Sequence, residues 1–510
     1  MKTYQLIVVM AGSSKRFQDA GYKKPKALLP ADDKKILRRI LGNYPNASSV
    51  LVILNNVQQV DVSSELSEML GTQQVQLAVI PSHDCGPSFS ISEAAQFIDK
   101  DLKTIVTYCD VGIGAIESEI SEALDSSDAV CIAFKGFHPH ILRNPTFGYL
   151  KCNSTNHVVD IREKKSFSDT PREEFTSAGV YGFRTGGVLL KAVTDQKEQK
   201  LEVAGELYLS LGMLTLVKAG AQVEMLEIAN FASWGTPEDL EDFNYYCKIQ
   251  REMLSPSSHS IQGTRKILLA GGKGQRMKTN SLLPKQMLEL SNEQDLLWKR
   301  GAGALKKDEE FVLISSSHLY EHLKESQILG DKIKVLNEST SSSLQTALLG
   351  LEKTDVQKNE PVTFISTDNV VGFSEDLLLD AQTYDLIVWV AQEYPLANIN
   401  PTHYSWASET DSGRAEKIYI KNRPQGAELT YPLVGNVSFR SRELAESLIV
   451  ETLKLTNLLD REIHMEDVAV LALEKDMKVK VLKCPLFLGV GTPEELDLYR
   501  YLIEPGYQDL

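Results

Sequence analysis

Leu6-Ile7-Val8-Val9-Met10-Ala11-Gly12-Ser13-Ser14-Lys15-Arg16-Phe17 passes from five apolar residues into a loop of small residues and then into two cations. The same pattern returns as Ile267-Leu268-Leu269-Ala270-Gly271-Gly272-Lys273-Gly274-Gln275-Arg276-Met277. A short aliphatic run bounded by turn residues reads as a buried strand opening into a tight loop. Small residues allow backbone N–H groups to approach and cradle phosphate oxygens, which larger side chains would hold off. Pro25-Lys26 follows the first loop and Pro284-Lys285 the second. Lys15, Arg16, Lys23, Lys24 and Lys26, then Lys273, Arg276, Lys278 and Lys285, gather positive charge in a chain whose net charge is −15. Solvated lysines on a surface turn are the plain alternative, and the recurrence of the arrangement at the same strand end argues against it. No Gly-Lys-Ser/Thr closes either loop, so neither is a Walker A motif.

Other landmarks recur in the same order. Val106–Asp110 is echoed by Phe364–Asp368, Asn144-Pro145-Thr146 by Asn400-Pro401-Thr402, and Phe231–Leu240 by Phe487–Leu496. A repeat about one large domain long implies tandem duplication rather than a solenoid. The expected organisation is one domain over residues 1–253, a linker over 254–264 containing Ser255-Pro256-Ser257-Ser258, and a second domain over 265–510. Within the first, Leu6–Met10, Val50–Leu54, Gln76–Ile80, Thr104–Cys109 and Ala129–Phe134 read as strands, and Lys35–Leu41, Ser90–Ile98 and Leu240–Met253 as helices. Within the second, Lys266–Ala270, Phe311–Ser315, Ile333–Leu336, Val362–Ser366 and Asp385–Val390 read as strands. Alternating strand and helix predicts an α/β fold with two tandem Rossmann-like domains, each a mostly parallel sheet flanked by helices. Ligands bind such sheets at the carboxyl ends of the strands.

Composition narrows the function. Asp and Glu number 69 against 54 Lys and Arg, which argues against a nucleic-acid or anionic-membrane partner. No apolar run approaches the roughly 20 residues of a bilayer-spanning helix. The start of the chain shows no signal-peptide pattern. The six cysteines are scattered, with no CxxC pair or Cys/His cluster, so neither a zinc site nor a disulfide framework is expected, and a reducing cytoplasm suits them.

Asp110 and Asp368 each end a buried strand above the phosphate loop, a natural place for an Mg²⁺ ligand. Neither strand offers DxD. No Ser/His/Asp or Cys/His set recurs, so the repeated chemistry rests on glycine, arginine, lysine and aspartate.

Met10–Phe17 with Lys24-Pro25-Lys26-Ala27-Leu28-Leu29-Pro30, and Gly271–Arg276 with Leu283-Pro284-Lys285-Gln286, resemble the signature of the sugar-phosphate nucleotidyltransferases. The resemblance extends over nearly all of both repeats. It implies transfer of a nucleotidyl group from an NTP to a phosphorylated small-molecule acceptor, with release of pyrophosphate. It gives Ala11, Gly12, Ser13, Ser14, Gly271, Gly272 and Gly274 to the triphosphate loop, and Arg16, Lys26, Arg276 and Lys285 to phosphate contacts. It gives Asp110 and Asp368 to Mg²⁺. On the acceptor side, Glu163 would bond sugar hydroxyls, Lys164 and Lys421 the acceptor phosphate, and Gly179 would let the sugar pack on backbone. Such enzymes imply a role in supplying precursors for surface polysaccharide or modified glycans. The sequence departs from the pattern in places. Ile420 stands where Glu163 would recur, and Ser233 and Gly489 occupy the position of a second metal carboxylate. A copy that binds nucleotide or nucleotide-sugar without chemistry, a glycosyltransferase on the same fold, and a homo-oligomer all remain open from sequence.

The attacking acceptor phosphate is already anionic at neutral pH, so the expected mechanism needs no general base. It needs positioning and neutralisation of charge.

Overall fold

The computed structural model of the chain describes residues 4–69, 75–143, 147–254, 261–271, 311–316, 319–320, 333–336, 340–373, 377–380, 382–424, 429–456, 463–504 and 506–510. Two compact units emerge: Met1–Cys247 together with Glu504–Leu510, and Lys248–Ile503.

In unit one, strand Tyr4–Val9 is buried at every position. A strand apolar on both faces belongs in the middle of a helix-covered sheet, and it pairs parallel with Ser49–Asn55 on one side and Lys103–Tyr108 on the other. Val75–Ile80 follows Ser49–Asn55 in parallel. Its partly exposed, alternating burial marks it as the edge. Beyond Lys103–Tyr108 the sheet changes hand. Phe175–Phe183 runs antiparallel to Lys103–Tyr108 and to Ala129–Phe134, and Ala129–Phe134 pairs parallel with Val223–Glu227. The hairpin of Gly148–Cys152 and Val158–Glu163 attaches to the start of Phe175–Phe183. The sheet is therefore mixed: Ala129–Phe134 is separated from Lys103–Tyr108 by an inserted antiparallel strand.

The expected strands of unit one match the observed ones to within a residue or two. The expected helix Ser90–Ile98 is instead helix Pro87–Glu93 followed by a 3₁₀ turn at Ala95–Phe97. Pro87 sits in its first turn, where a missing N–H costs nothing. Leu240–Met253 lies inside a longer helix, Pro237–Leu254.

Unit two repeats the strand order. Ile333–Leu336, Phe311–Ser316, Arg265–Ala270 and Val362–Ser366 run parallel in sequence across the sheet. Thr430–Phe439 then inserts antiparallel between Val362–Ser366 and Leu386–Ala391, and Val479–Cys484 pairs parallel with the latter. Trp406–Glu409 with Ala415–Tyr419 supplies the attached hairpin. Both units also carry a two-stranded ribbon, Val111–Ile113 with Phe231–Ser233 and Asn369–Gly372 with Leu486–Gly489. Ser255–Ser260 of the expected linker, Asn144-Pro145-Thr146 and the loop residues Gly272, Gly274, Arg276 and Lys285 lie outside the described residues. Among the described residues no helix is long and apolar enough to cross a membrane. All six cysteines are free.

The segment Glu504–Leu510 belongs to unit one, whereas the expected organisation put it in the second domain over 265–510. The Arg39 guanidinium, buried, donates to Gln508 O at 2.9 Å and Leu510 O at 2.6 Å, and Tyr507 packs its ring 5.2 Å from Phe243. Tyr507 and Leu510 are both buried. Deleting Gly506–Leu510 should therefore destabilise unit one by about 2–4 kcal/mol, from lost apolar burial and an under-partnered buried guanidinium. Urea unfolding with hydrogen exchange read on the strands of unit one checks this, and unchanged protection there would contradict it.

Candidate functional site

The loop after strand Tyr4–Val9 takes its shape from backbone preferences and one buried amide. Asn55, at the carboxyl end of the neighbouring strand, donates from Nδ2 to Ala11 O at 3.1 Å and Gly12 O at 3.2 Å. That turns the loop carbonyls towards the sheet. Gly12 bridges to His83, and Ser13 Oγ donates to Asp84 Oδ1 at 2.7 Å. Ser14 holds φ at 52°, in the left-handed region, before helix Lys15–Asp19 begins. Only glycine adopts that region without a steric penalty, so Ser14 stands where a glycine would sit more easily. A Cβ on Gly12 would meet no atom within 4 Å. Space therefore lies open over the loop.

Across from the loop, Lys26 Nζ makes an ion pair with Asp110 Oδ2 at 2.9 Å. Lys26 is nearly buried. Burial works against its positive charge, but the Asp110 carboxylate outweighs it and the ammonium is held above its ordinary pKa. Asp110 follows strand Lys103–Tyr108, and Trp234 N fixes its backbone by donating to Asp110 O at 2.7 Å. Beside it, burial pushes the Cys109 thiol up to about 11. That leaves it neutral at physiological pH.

The other end of the cavity is built around Glu163. Its carboxylate accepts from Ser210 Oγ at 2.5 Å, and burial raises its pKa while Ser210 and Lys164 pull it back. Gly148 makes room for it, since a Cβ there would lie 2.7 Å from Glu163 Oε2. Lys164, at φ 56°, donates its backbone N–H to Phe147 O at 2.8 Å. Its ammonium lies over the Tyr208 ring, 4.6 Å from the centroid. Gly179 holds φ at +73°, and a Cβ would approach Tyr108 Cδ2 at 3.0 Å. It sits where the pairing of Phe175–Phe183 with Ala129–Phe134 breaks register. A bulge of this kind re-aims a strand beside a site.

Ala11, Gly12, Ser13, Ser14, Arg16, Lys26, Asp110, Glu163, Lys164 and Gly179, the ten residues singled out in unit one from sequence, all line one cavity of about 980 Å³ at the carboxyl ends of the parallel strands. Sequence reading missed others that share it: His83, Asp84 and Gly86, then His140, Arg143, Tyr208, Ser210 and Asp239. The first three follow a strand's carboxyl end in the turn-rich run Pro81–Pro87, a signal that was there to use. His83 Nδ1 accepts from Cys85 N at 3.1 Å and Nε2 bonds Ser90 Oγ at 2.8 Å, so its proton sits on Nε2. His140 is buried with neither ring nitrogen hydrogen-bonded among the described residues, and burial holds its pKa well below the ordinary value. Nothing in their spacing marks Ser210 or Tyr208.

In unit two, Gly271, Asp368 and Lys421 are described. A Cβ on Gly271 would press on Thr346 Oγ1 at 2.8 Å and Thr340 Oγ1 at 3.0 Å. Asp368 accepts from Ser366 Oγ, and Val490 N donates to Asp368 O at 2.8 Å, as Trp234 does to Asp110. Lys421 has φ 50°, like Lys164, but its ammonium donates to His403 O at 2.6 Å. Gly435 holds φ +83°, like Gly179.

Residues 6–161 match the model of the MobA-like NTP transferase domain. No curated protein matches the chain. Solved structures similar to it include the nucleoside-diphosphate-sugar pyrophosphorylase from Vibrio cholerae RC9, at 23% identity, TM-score 0.40, covering 47% of this chain and 99% of that one. The inositol-1-phosphate CTP transferase from T. maritima is similar at 16% identity, TM-score 0.39, covering 48% of this chain and 94% of that one.

The three glycine-type positions should separate cleanly in stability. Ser14→Gly is expected to stabilise unit one by about 1 kcal/mol or less, and Gly12→Ala to be nearly neutral. Gly179→Ala should cost about 1–3 kcal/mol, from its positive φ and its contact with Tyr108. Urea midpoints of the three variants test this, and equal midpoints for Gly12→Ala and Gly179→Ala would contradict it.

Proposed function

We propose that unit one transfers a nucleotidyl group from an NTP to the phosphate of a small hydroxyl-bearing acceptor, releasing pyrophosphate. The observation that carries this reading is the Lys26–Asp110 pair opposite the Gly12–Arg16 loop. A fixed cation and a carboxylate at the strand ends line one cavity with the small-residue loop, Glu163 and Lys164. The match of residues 6–161 to an NTP transferase domain supports it.

The triphosphate would lie over Gly12 and Ser13, with Arg16 and Lys26 on its oxygens. Lys164 would hold the acceptor phosphate and Glu163 an acceptor hydroxyl. The nucleophile is an anionic phosphate oxygen. It forms a bond to the α-phosphorus as the bond to the bridging oxygen of pyrophosphate breaks, and no proton moves. The barrier is the approach of two polyanions and the charge left on pyrophosphate, which fixed cations relieve. The donors at Asp110 are hard oxygens. Such donors would fit Mg²⁺, which keeps its waters and binds through one or two carboxylates and substrate phosphates. Bound at Asp110, Mg²⁺ would supply further neutralisation of the leaving group.

We read the matched strand order, the paired ribbons and the paired positive-φ residues as the product of tandem duplication. For unit two a second reading is favoured by a specific substitution. Ile420 replaces the acceptor carboxylate, so that unit binds nucleotide without transferring it, or takes an acceptor without a hydroxyl at that place.

The test is pyrophosphate release from each of the four NTPs against a panel of sugar phosphates and polyol phosphates. One pairing should turn over. Lys26→Ala should lower its kcat/KM by about 10²-fold or more. Arg16→Ala should lower it too, with Arg276→Ala sparing it. Turnover untouched by Lys26→Ala, or lost only with Arg276→Ala, would overturn the assignment to unit one.

A further inference from the structure

His140 lines the cavity and takes no part in the transfer step. Of the side chains lining that cavity, it alone has buried polar atoms without a hydrogen bond among the described residues, and both of its ring nitrogens are in that state. The residue is only 8% exposed. Burial holds its pKa well below the ordinary value, which favours the uncharged ring with one N–H donor and one bare nitrogen acceptor. Its neighbour His138 differs, because the backbone of Lys135 hydrogen-bonds it. His140 instead lies among aromatic hydrocarbon, its centroid 4.7 Å from that of Phe231, 4.9 Å from Phe147 and 5.3 Å from Phe134. A buried polar group without a partner lowers stability, and native proteins keep few of them.

Unit two shows that the fold itself does not require a histidine there. His138-Pro139-His140 precedes Asn144-Pro145-Thr146 by the same interval as Tyr394-Pro395-Leu396 precedes Asn400-Pro401-Thr402. In each unit the proline opens a short helix, Pro139–Leu142 or Pro395–Ile399. Leu396 is buried in the place of His140, and a leucine fills an apolar space without leaving a polar atom unpaired. The same unit has Ile420 where unit one has Glu163. Phe147 connects the two positions in unit one: its carbonyl accepts from Lys164 N, next to Glu163, and its ring touches His140. Two polar groups of one cavity are thus exchanged together for aliphatic ones, while the positive φ of Lys164 and Gly179 recurs at Lys421 and Gly435. Packing gives no reason to couple the two exchanges, and a shared ligand does.

Resting on the transfer reading above, we propose that His140 hydrogen-bonds a hydroxyl of the phosphorylated acceptor in unit one, a second hydroxyl beside the one taken by Glu163. Both ring nitrogens are closed to water, so the ring turns about its last torsion, which is soft in histidine, and presents one of them to the ligand. Phe147 and Phe231, which also line the cavity, take the carbon skeleton. An acceptor with two hydroxyls on one carbon frame is a sugar phosphate or a polyol phosphate. A phosphomonoester with a single hydroxyl leaves His140 unpaired and binds less well.

The experiment follows pyrophosphate release by the full chain with the NTP and acceptor that turn over, and compares that acceptor with its monodeoxy analogues. His140→Leu should raise the unfolding midpoint or leave it unchanged, raise KM for the acceptor about tenfold, and leave KM for the NTP as it was. One monodeoxy analogue should show a similar rise with the unmodified chain and no further rise with His140→Leu. Unchanged acceptor KM in His140→Leu overturns the proposal. So does a series in which every analogue loses as much with the variant as with the unmodified chain. Should His140→Leu not fold, His140→Met takes its place, since methionine fills irregular space, and the same outcomes decide. Absence of turnover with every NTP and acceptor would instead overturn the transfer reading, and this inference with it.

Discussion

A lysine ammonium nearly buried at the carboxyl ends of a parallel sheet is tolerable only beside a carboxylate, and the pairing of Lys26 with Asp110 meets that condition. Much of unit one serves to hold the two together. The fully buried strand Tyr4–Val9 sets the loop on one side, the parallel strand Lys103–Tyr108 delivers Asp110 on the other, and the ribbon to Phe231–Ser233 fixes the backbone of Asp110 through Trp234. Desolvation alone would lower the lysine's pKa, and the Asp110 carboxylate offsets this and favours the charged form.

The part of the cavity around Glu163 depends on glycines in a different way. Gly148 leaves the volume in which the Glu163 carboxylate sits, and Gly179 takes a backbone conformation that closes on Tyr108. A small side chain at either place would move groups that line the cavity without touching the fold's core. The comparison with unit two is informative because the backbone there keeps its positive φ at Lys421 and Gly435, while the side chains diverge: Ile420 for Glu163, and a tyrosine-capped Glu495 for Asp239. The backbone conformation is shared where the side chains differ.

The parallel half of the first sheet was legible because its strands include continuous aliphatic runs, such as Leu6–Met10 and Val50–Leu54, buried on both faces. The antiparallel strand Phe175–Phe183 was not. Its Ser177-Ala178-Gly179 bulge breaks the alternation, and its partners Lys103–Tyr108 and Ala129–Phe134 lie far back in sequence with no hairpin turn to announce the pairing. Arg16, Lys26 and Asp110 were legible because loop, cations and strand-end carboxylate recur in one order, whereas Glu163, Lys164 and Gly179 came only from the family resemblance, and Glu163 does not recur. Ser210 and Asp239 were not, since each reaches the cavity only through tertiary placement: Ser210 by the closeness of helix Leu209–Lys218 to Glu163, Asp239 by a helix cap that also turns it towards Ser233. The docking of Glu504–Leu510 onto Arg39 left no local trace at all, because Arg39 reads as one more cation on an amphipathic helix.

The central claim is that the Lys26–Asp110 pair and the Gly12–Arg16 loop form one triphosphate site. Hydrogen exchange of the full chain with and without an NTP and Mg²⁺ tests it most directly. The account expects slowed exchange concentrated at residues 11–18 and 108–111, and no such slowing in Lys26→Ala. Protection falling elsewhere in unit one, or surviving undiminished in Lys26→Ala, would contradict it.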